Sequence, residues 1–189
     1  MDQPHTAAAQ AVDEGMWLLF ADRARVRPAA PDDRDGLAAF VDRCSAETLY
    51  RRFHGAAGTG LLRHELDRVA HPTRAHRSWV AVSCFGQIRG TATLAWGRTG
   101  TVEAAFLVED AWARRGVGRL LWAAVAAEAR RAGLTTVVAM VQADNDRAIR
   151  FLRGVAPGAR SRFVGGAEVE VTIPIDPIDQ TAAQIMEAA

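Results

Sequence analysis

The sequence predicts an α/β fold of the α+β kind: one domain on a mixed, mostly antiparallel twisted sheet flanked by helices. Three observations predict it. Strand-like segments follow one another from Ser78 to Val108 with short glycine-containing turns between them, the pattern of antiparallel neighbours. A long amphipathic helix then leads into a β-branched run, Thr135–Val141, and a strand–helix–strand unit pairs its strands in parallel. The 189 residues, 49% of them hydrophobic, suit one core that needs neither disulfides nor metal.

In chain order, residues 1–15 are polar and Ala-rich without a period and read as a flexible or weakly helical arm. Met16–Phe20 and Arg25–Arg27 read as a hairpin or two short strands. Pro28, Pro31, Asp32 and Asp33 mark a helix start, and Leu37, Phe40 and Val41 share one face of that helix. Ser45 or Thr48 caps a second short helix that carries Tyr50 and Phe53 and is broken by Gly55–Gly58. Leu61, Leu62, Leu66 and Val69 give a third helix its apolar face. Ser78–Cys84, Ile88–Trp96 and Thr101–Val108 are strands. Arg115–Ala132 is a helix with Val117, Leu120, Leu121, Ala124 and Val125 on one stripe and Gly133 as its C-cap. Thr135–Val141 is a central, buried strand. Asp146–Arg153 is a short helix and Ala167–Ile173 a last alternating strand, closed by Pro174 and Pro177. No motif is legible in Gly154–Gly166. The domain is expected to span residues 16–175, with 176–189 a loosely attached tail.

A formal net charge of +1 calls for neither nucleic acid nor a membrane surface as partner. No apolar run reaches the length of a membrane span, and the N-terminus lacks the basic and apolar regions of a signal peptide, so a cytoplasmic protein is expected. Cys44 and Cys84 are too few for a disulfide framework and read as reduced, semi-buried residues. The five histidines lack metal-ligand spacing; His71 and His76 flank a loop and read as solvated, and no metal is expected. All 23 basic residues are Arg. Codon bias explains that best; the alternative is a lysine-acylating enzyme that spares itself.

The chemistry is concentrated in Val102–Arg119, VEAAFLVEDAWARRGVGR. A strand runs into Arg114-Arg115-Gly116-Val117-Gly118-Arg119, which opens the long helix. Glycines let the backbone approach a ligand, and the unpaired N–H groups of a first helical turn, with the helix dipole, suit a pyrophosphate. Arg114, Arg115 and Arg119 supply guanidinium groups for further phosphate oxygens. A dinucleotide fingerprint would need a third glycine where Leu121 stands, and a P-loop would need lysine. Trp112, just before this turn, reads as a packing residue or a wall of the ligand site. Trp79, Trp96 and Trp122 read as core or half-core.

This segment, with VQADNDRAIRFLR after the next strand, resembles the GNAT superfamily of acyl-CoA-dependent N-acyltransferases from about Arg25 to Ile173. Gly116 and Gly118 match the Gln/Arg-x-x-Gly-x-Gly/Ala signature, whose first position is Ala113 here. The resemblance implies acetyl-CoA as cosubstrate, its pyrophosphate on residues 114–119 and its pantetheine arm between the strands at Val102–Val108 and Thr135–Val141. Those strands are then expected to splay. The arm would bond the main chain of Phe106, Leu107 and Val108, and lie beside Asn145, Ala148 and Phe151; Asn145 also reads as a plain helix N-cap. The amide of Val108 would stabilise the tetrahedral oxyanion, and Glu103 would be the general base.

Strand alternation puts Glu103, Ala105 and Leu107 on one face, where apolar neighbours would favour the protonated form of Glu103. Glu109 and Asp110 read as surface or helix-start residues. EAAFLVEDAW and SAETLYRRF resemble the bacterial protein-lysine acetyltransferase branch. Many family members carry a tyrosine acid where this chain has Leu152, which leaves Tyr50, water or no acid for the departing thiolate.

The reading is therefore an N-acetyltransferase acting on a primary amine of a protein lysine or a small molecule. The alternatives are an acyl-CoA-binding sensor without catalysis and, more remotely, an unrelated nucleotide-binding regulatory domain. A homodimer is left open.

Overall fold

The computed structural model describes residues 24–55, 58–97 and 100–176. Among them the strands are β1 Arg25–Pro28, β2 His76–Val82, β3 Ile88–Trp96, β4 Val102–Val108, β5 Thr136–Gln142, β6 Arg160–Gly165 and β7 Glu168–Pro174. The helices are α1 Arg34–Asp42, α2 Ala46–Phe53, α3 Thr59–Ala70, α4 Val117–Arg131 and α5 Asp146–Val155. The strands form one seven-stranded sheet in the order β1-β2-β3-β4-β5-β7-β6. Every neighbouring pair is antiparallel except β4 and β5, which run parallel.

Each face of the sheet has its own core. Trp79, Ala81, Ala92, Leu94 and Ala104 meet Val117, Leu121, Val125 and Ala129 of α4 on one side. Val80, Ile88 and Leu107 meet Leu37, Phe40, Val41 and Val69 of α1 and α3 on the other. The two-residue period of the strands makes this division, because neighbours such as Trp79 and Val80 point to opposite faces. Gly90 of β3 admits α4 closely. A Cβ there would lie 3.0 Å from the Leu107 carbonyl and 3.1 Å from Val117 and from Leu121.

Most expected elements are found within a few residues of their predicted ends. Ser45 is the cap of α2, its hydroxyl accepting from the Thr48 amide at 3.1 Å. Arg25–Arg27 is a short strand as expected, within β1, which pairs with β2; Met16–Phe20 lies outside the described residues. Three expectations need correction. Leu120 is 45% exposed, and the α4 stripe continues through Ala126 and Ala129 instead, because position 120 falls at the rim of the buried arc. Cys84 is exposed, in the turn after β2, whereas Cys44 is buried. The unread segment 154–166 holds β6, an edge strand with exposed residues on both faces and therefore no alternating pattern to find.

Gly90→Ala should destabilise the fold by about 1–3 kcal/mol, since two of the three near atoms belong to packed core side chains and the third is backbone. Urea denaturation checks this: the midpoint should fall with an unchanged m-value.

Candidate active site

The parallel pair β4 and β5 is joined at one register position, Glu103↔Val138. Beyond it the strands separate, as the splay expectation requires. The Glu109 amide donates to the Arg89 carbonyl at 3.0 Å, which fixes the phase of the β3–β4 ladder. Alternation then turns the main-chain groups of Phe106 and Val108 toward β5 and those of Leu107 toward β3. Leu107 thus departs from its expected place. Its main chain is used within the sheet and its side chain is in the core beneath α1 and α3.

A cleft of about 440 Å³ opens where the strands part. Its walls come from α2, α3, the starts of β2 and β7, the facing stretches of β4 and β5, and α5. Glu103, Phe106, Asn145, Ala148 and Phe151 all line it. Asn145 caps α5, its side-chain oxygen accepting from the Ala148 amide at 3.1 Å, so the plain cap and the cleft position coexist in one residue. Phe151 stacks edge-on against Phe106, with centroids 5.8 Å apart. A Cβ on Gly118 would meet that same Phe151 ring at 3.1 Å, so this glycine lets α4 and α5 close together.

The turn before α4 is built as an open cradle. Arg114 has φ 63° and Gly116 φ 86°, both left-handed, and no side chain caps the helix. Val117 is buried and anchors the turn, while Arg114, Arg115 and Arg119 are exposed. The uncapped first-turn amides, the helix dipole and three exposed arginines concentrate positive potential at this turn. Trp112 is buried behind the turn, with the Arg115 guanidinium 5.7 Å from its ring on one side and Arg89 at 5.1 Å. It packs rather than walls the cradle.

Glu103 does not sit among apolar neighbours. It is exposed in the cleft, at the start of β4 and beyond the reach of the second core, and shares the cleft with Arg52 and Glu65. Burial pulls the Arg52 guanidinium below its usual value, against the opposing fields of Glu65 and Glu103. Tyr50 is 49% exposed and outside the cleft lining, because α2 turns it outward. His71 is exposed as expected, but His76 is buried in β2 and lines the cleft. Burial, then the Arg68 charge, lowers its pKa and keeps the imidazole neutral, with the Ser78 hydroxyl 3.3 Å from Nδ1.

Sequence reasoning missed three features. Glu109 is only 5% exposed, and its carboxylate accepts from Arg43 at 3.0 Å and Arg89 at 2.9 Å. Asp110, at the surface as expected, accepts from the Ser45 amide at 2.8 Å and the Thr48 hydroxyl at 2.7 Å, and so holds the start of α2. His54, at the end of α2, bonds through Nδ1 to Glu168 at the start of β7. Partners 20 to 114 residues apart leave no local signal for any of them.

A sheet split between two parallel strands, with an uncapped, arginine-flanked turn at the start of the next helix, fits the architecture of an acyl-CoA-dependent transferase. The acetyltransferase (GNAT) family model matches residues 45–155, and the chain belongs to that family. The GNAT domain of S. lividans PAT is 27% identical over 80% of this chain and 90% of its own, with a TM-score of 0.71. The yncA protein of Salmonella typhimurium, solved with its cofactor acetyl-CoA, is 19% identical over 81% and 94%, with a TM-score of 0.61. Spermidine N-acetyltransferase from Vibrio cholerae, in complex with CoA and spermine, is 13% identical over 80% and 95%, also at 0.61. The latter two likenesses are of fold.

Asp110 gives the site an acid-sensitive tie. Partial burial opposes its charge, but hydrogen bonds from the Ser45 amide, the Thr48 hydroxyl and the Ser45 hydroxyl prevail and hold it below the usual carboxylate range. A lowered folded-state pKa contributes stability that is full above the unfolded value, about 3.9, and is lost as pH falls through the folded value. The α2 amides should therefore lose hydrogen-exchange protection as pH drops below about 4. Asp110→Ala should bring a comparable loss, about 1 kcal/mol, to pH 7, where exchange of the Thr48 and Leu49 amides measures it.

Proposed function

We propose that this chain is an acetyl-CoA-dependent N-acetyltransferase that moves the acetyl group directly onto a primary amine, with Glu103 as general base. One observation carries the proposal: Glu103 stands at the single register pair where β4 and β5 part, in a cleft also lined by Phe151, the ring against which the Gly118 backbone packs. Three contacts are assigned to acetyl-CoA. The pyrophosphate takes the main chain from Gly116 to Gly118 with Arg114, Arg115 and Arg119. The pantetheine arm runs along the free main-chain groups of Phe106 and Val108, where it continues the hydrogen bonding that β5 abandons. Its flank rests on Asn145, Ala148 and Phe151.

The amine enters opposite the thioester. An alkylammonium has a pKa of about 10.4, so it must lose a proton before it attacks. Glu103, exposed in the cleft, accepts that proton directly or through one water. The neutral amine nitrogen bonds to the thioester carbon, the Val108 amide holds the developing oxyanion, the bonded nitrogen gives its second proton to water, and the carbon–sulfur bond breaks with its electrons on sulfur. The acceptor is a protein lysine or a small-molecule amine. The likeness of EAAFLVEDAW and SAETLYRRF to the lysine-acetyltransferase branch favours the first.

Glu103→Gln should lower kcat by about 100- to 10,000-fold while calorimetry shows CoA affinity within a few-fold of the parent. The measurement is acetyl transfer to a panel of peptide and small amines beside CoA titration. A parent protein that binds CoA and acetylates no amine would be a sensor, and the proposal would fail.

A further inference from the structure

Leu152 is buried and Tyr50 lies outside the cleft, so neither supplies a proton to the thiolate that leaves when the amide forms. The cleft does contain one imidazole–carboxylate pair with a polar ring atom to spare. His54 and Glu168 both line it, and the His54 ring bonds to the Glu168 carboxylate through Nδ1. A carboxylate on Nδ1 fixes the ring's orientation and tautomer, which leaves Nε2 as the working atom. Among the described residues no protein group is bonded to Nε2.

His54 ends α2 as a left-handed cap, φ 55°, its amide donating to the Tyr50 carbonyl. Two ties hold this end of α2: His54 to Glu168, and Arg51, one turn earlier on α2, to Asp144 at 3.1 Å. Asp144 directly precedes Asn145, and Glu168 is the register partner of Gln142 at the end of β5. The pair is thus fastened to the same end of β5 as Asn145. Glu103 is level with Val138, four residues and about 13 Å back along that strand. Glu103 and His54 line the same cleft, one from β4 and the other from the end of α2.

We propose that His54, positioned by Glu168, is the acid of the reaction and gives its Nε2 proton to the departing CoA sulfur. The proposal rests on the acetyltransferase reading above. Glu103 takes the ammonium proton before the carbon–nitrogen bond forms, and the bonded nitrogen gives its second proton to water. The carbon–sulfur bond breaks, the electron pair stays on sulfur, and imidazolium Nε2–H protonates it. Neutral His54 then recovers a proton from water. The charged groups around the pair are Arg51 and Arg52 on α2, Glu65 and Arg68 on α3, Glu103 on β4, Asp144 after β5 and Glu168 itself.

Acetyl transfer by the full chain is measured for the parent, His54→Gln and Glu168→Gln with acetyl-CoA and with an acetyl thioester of a more acidic thiol, which needs less help to leave. The parent-to-His54→Gln ratio of kcat should be about 10 to 100 with acetyl-CoA and fall toward one with the more acidic leaving group, with the KM for acetyl-CoA within a few-fold. Glu168→Gln should lower kcat in the same sense, because the ring loses the carboxylate that orients it. Histidine NMR on the parent protein supplies a readout without turnover: CoA should shift the His54 ring resonances and desulfo-CoA, which lacks the sulfur, should leave them alone. A flat ratio, a loss confined to KM, or equal shifts with the two ligands overturns the assignment of His54 while leaving the transferase reading intact. Absence of turnover on every amine instead removes that reading, and this one with it.

Discussion

Two parallel strands that meet at a single register position leave main-chain donors and acceptors facing a gap, and buried peptide groups must find partners. Glu103↔Val138 is that position, and the groups of Phe106 and Val108 are the ones left over. Phe106 of β4 meets Phe151 of α5 edge-on and Trp122 of α4 at a tilt, and a cleft stays open beside them. The two cores on either face of the sheet support this arrangement: α4 pulls β4 from one side through Val117 and Leu121, while α1 and α3 hold Leu107 from the other. A strand pinned on both faces and along its β3 edge cannot relax toward β5. The packing therefore maintains the separation.

Helices that form the other wall of the cleft are tied to the same strand by two consecutive acids. Glu109 binds Arg43, at the end of α1, and Arg89 of β3; Asp110 binds the cap of α2. Arg43 also donates to the Ile88 carbonyl at 2.7 Å, and Arg89 stacks on Trp112, whose ring is within cation–π reach of Arg115. A buried carboxylate between two guanidinium groups adds little net stability over an apolar replacement, since desolvation offsets most of the attraction. Its geometric demand is strict, however. With both oxygens engaged, the end of β4, the start of α2 and the turn before α4 are held in one relative placement. Burial, and the charges of Asp110 and Glu109, push the neighbouring Cys44 thiol up to about 12, so it stays a neutral packing group within this assembly.

What the sequence makes legible follows from how far each signal travels along the chain. Strand period, helix stripe and caps are local, so β2 to β5, α1 to α5 and the Ser45 cap were all readable. The left-handed Gly116 was readable too, since a strand that turns at once into a helix requires such a residue. Glu109 was misread because a carboxylate at a strand end is ordinarily solvated, and only Arg43, 66 residues away, and Arg89 explain its burial. His76 fails similarly: it sits at a strand start, where the pattern says surface, yet α3 covers it. The cleft's charge was illegible for the same reason. Arg52, His54 and Glu65 share no spacing with Glu103 or Glu168, and only the fold collects them.

Proton affinities explain how such a cleft works without the tyrosine that Leu152 replaces. At pH 7 an amine of pKa about 10.4 is disfavoured in its free form by about 4–5 kcal/mol, whereas a thiol of pKa about 8.5 lies only about 2 kcal/mol from its thiolate. The base thus relieves the greater barrier and the acid the smaller one. An acid that recovers all of the thiolate's deficit accelerates departure by roughly 30-fold, since each 1.36 kcal/mol is tenfold. On the proposed roles, a base carried by the parting strand and an acid on a helix end tethered by one hydrogen bond to Glu168 match structural rigidity to energetic need. The proposed base is fixed by the sheet, where the greater demand lies. The lesser demand would leave the identity of the acid free to vary between a histidine pinned from β7 and a tyrosine on α5.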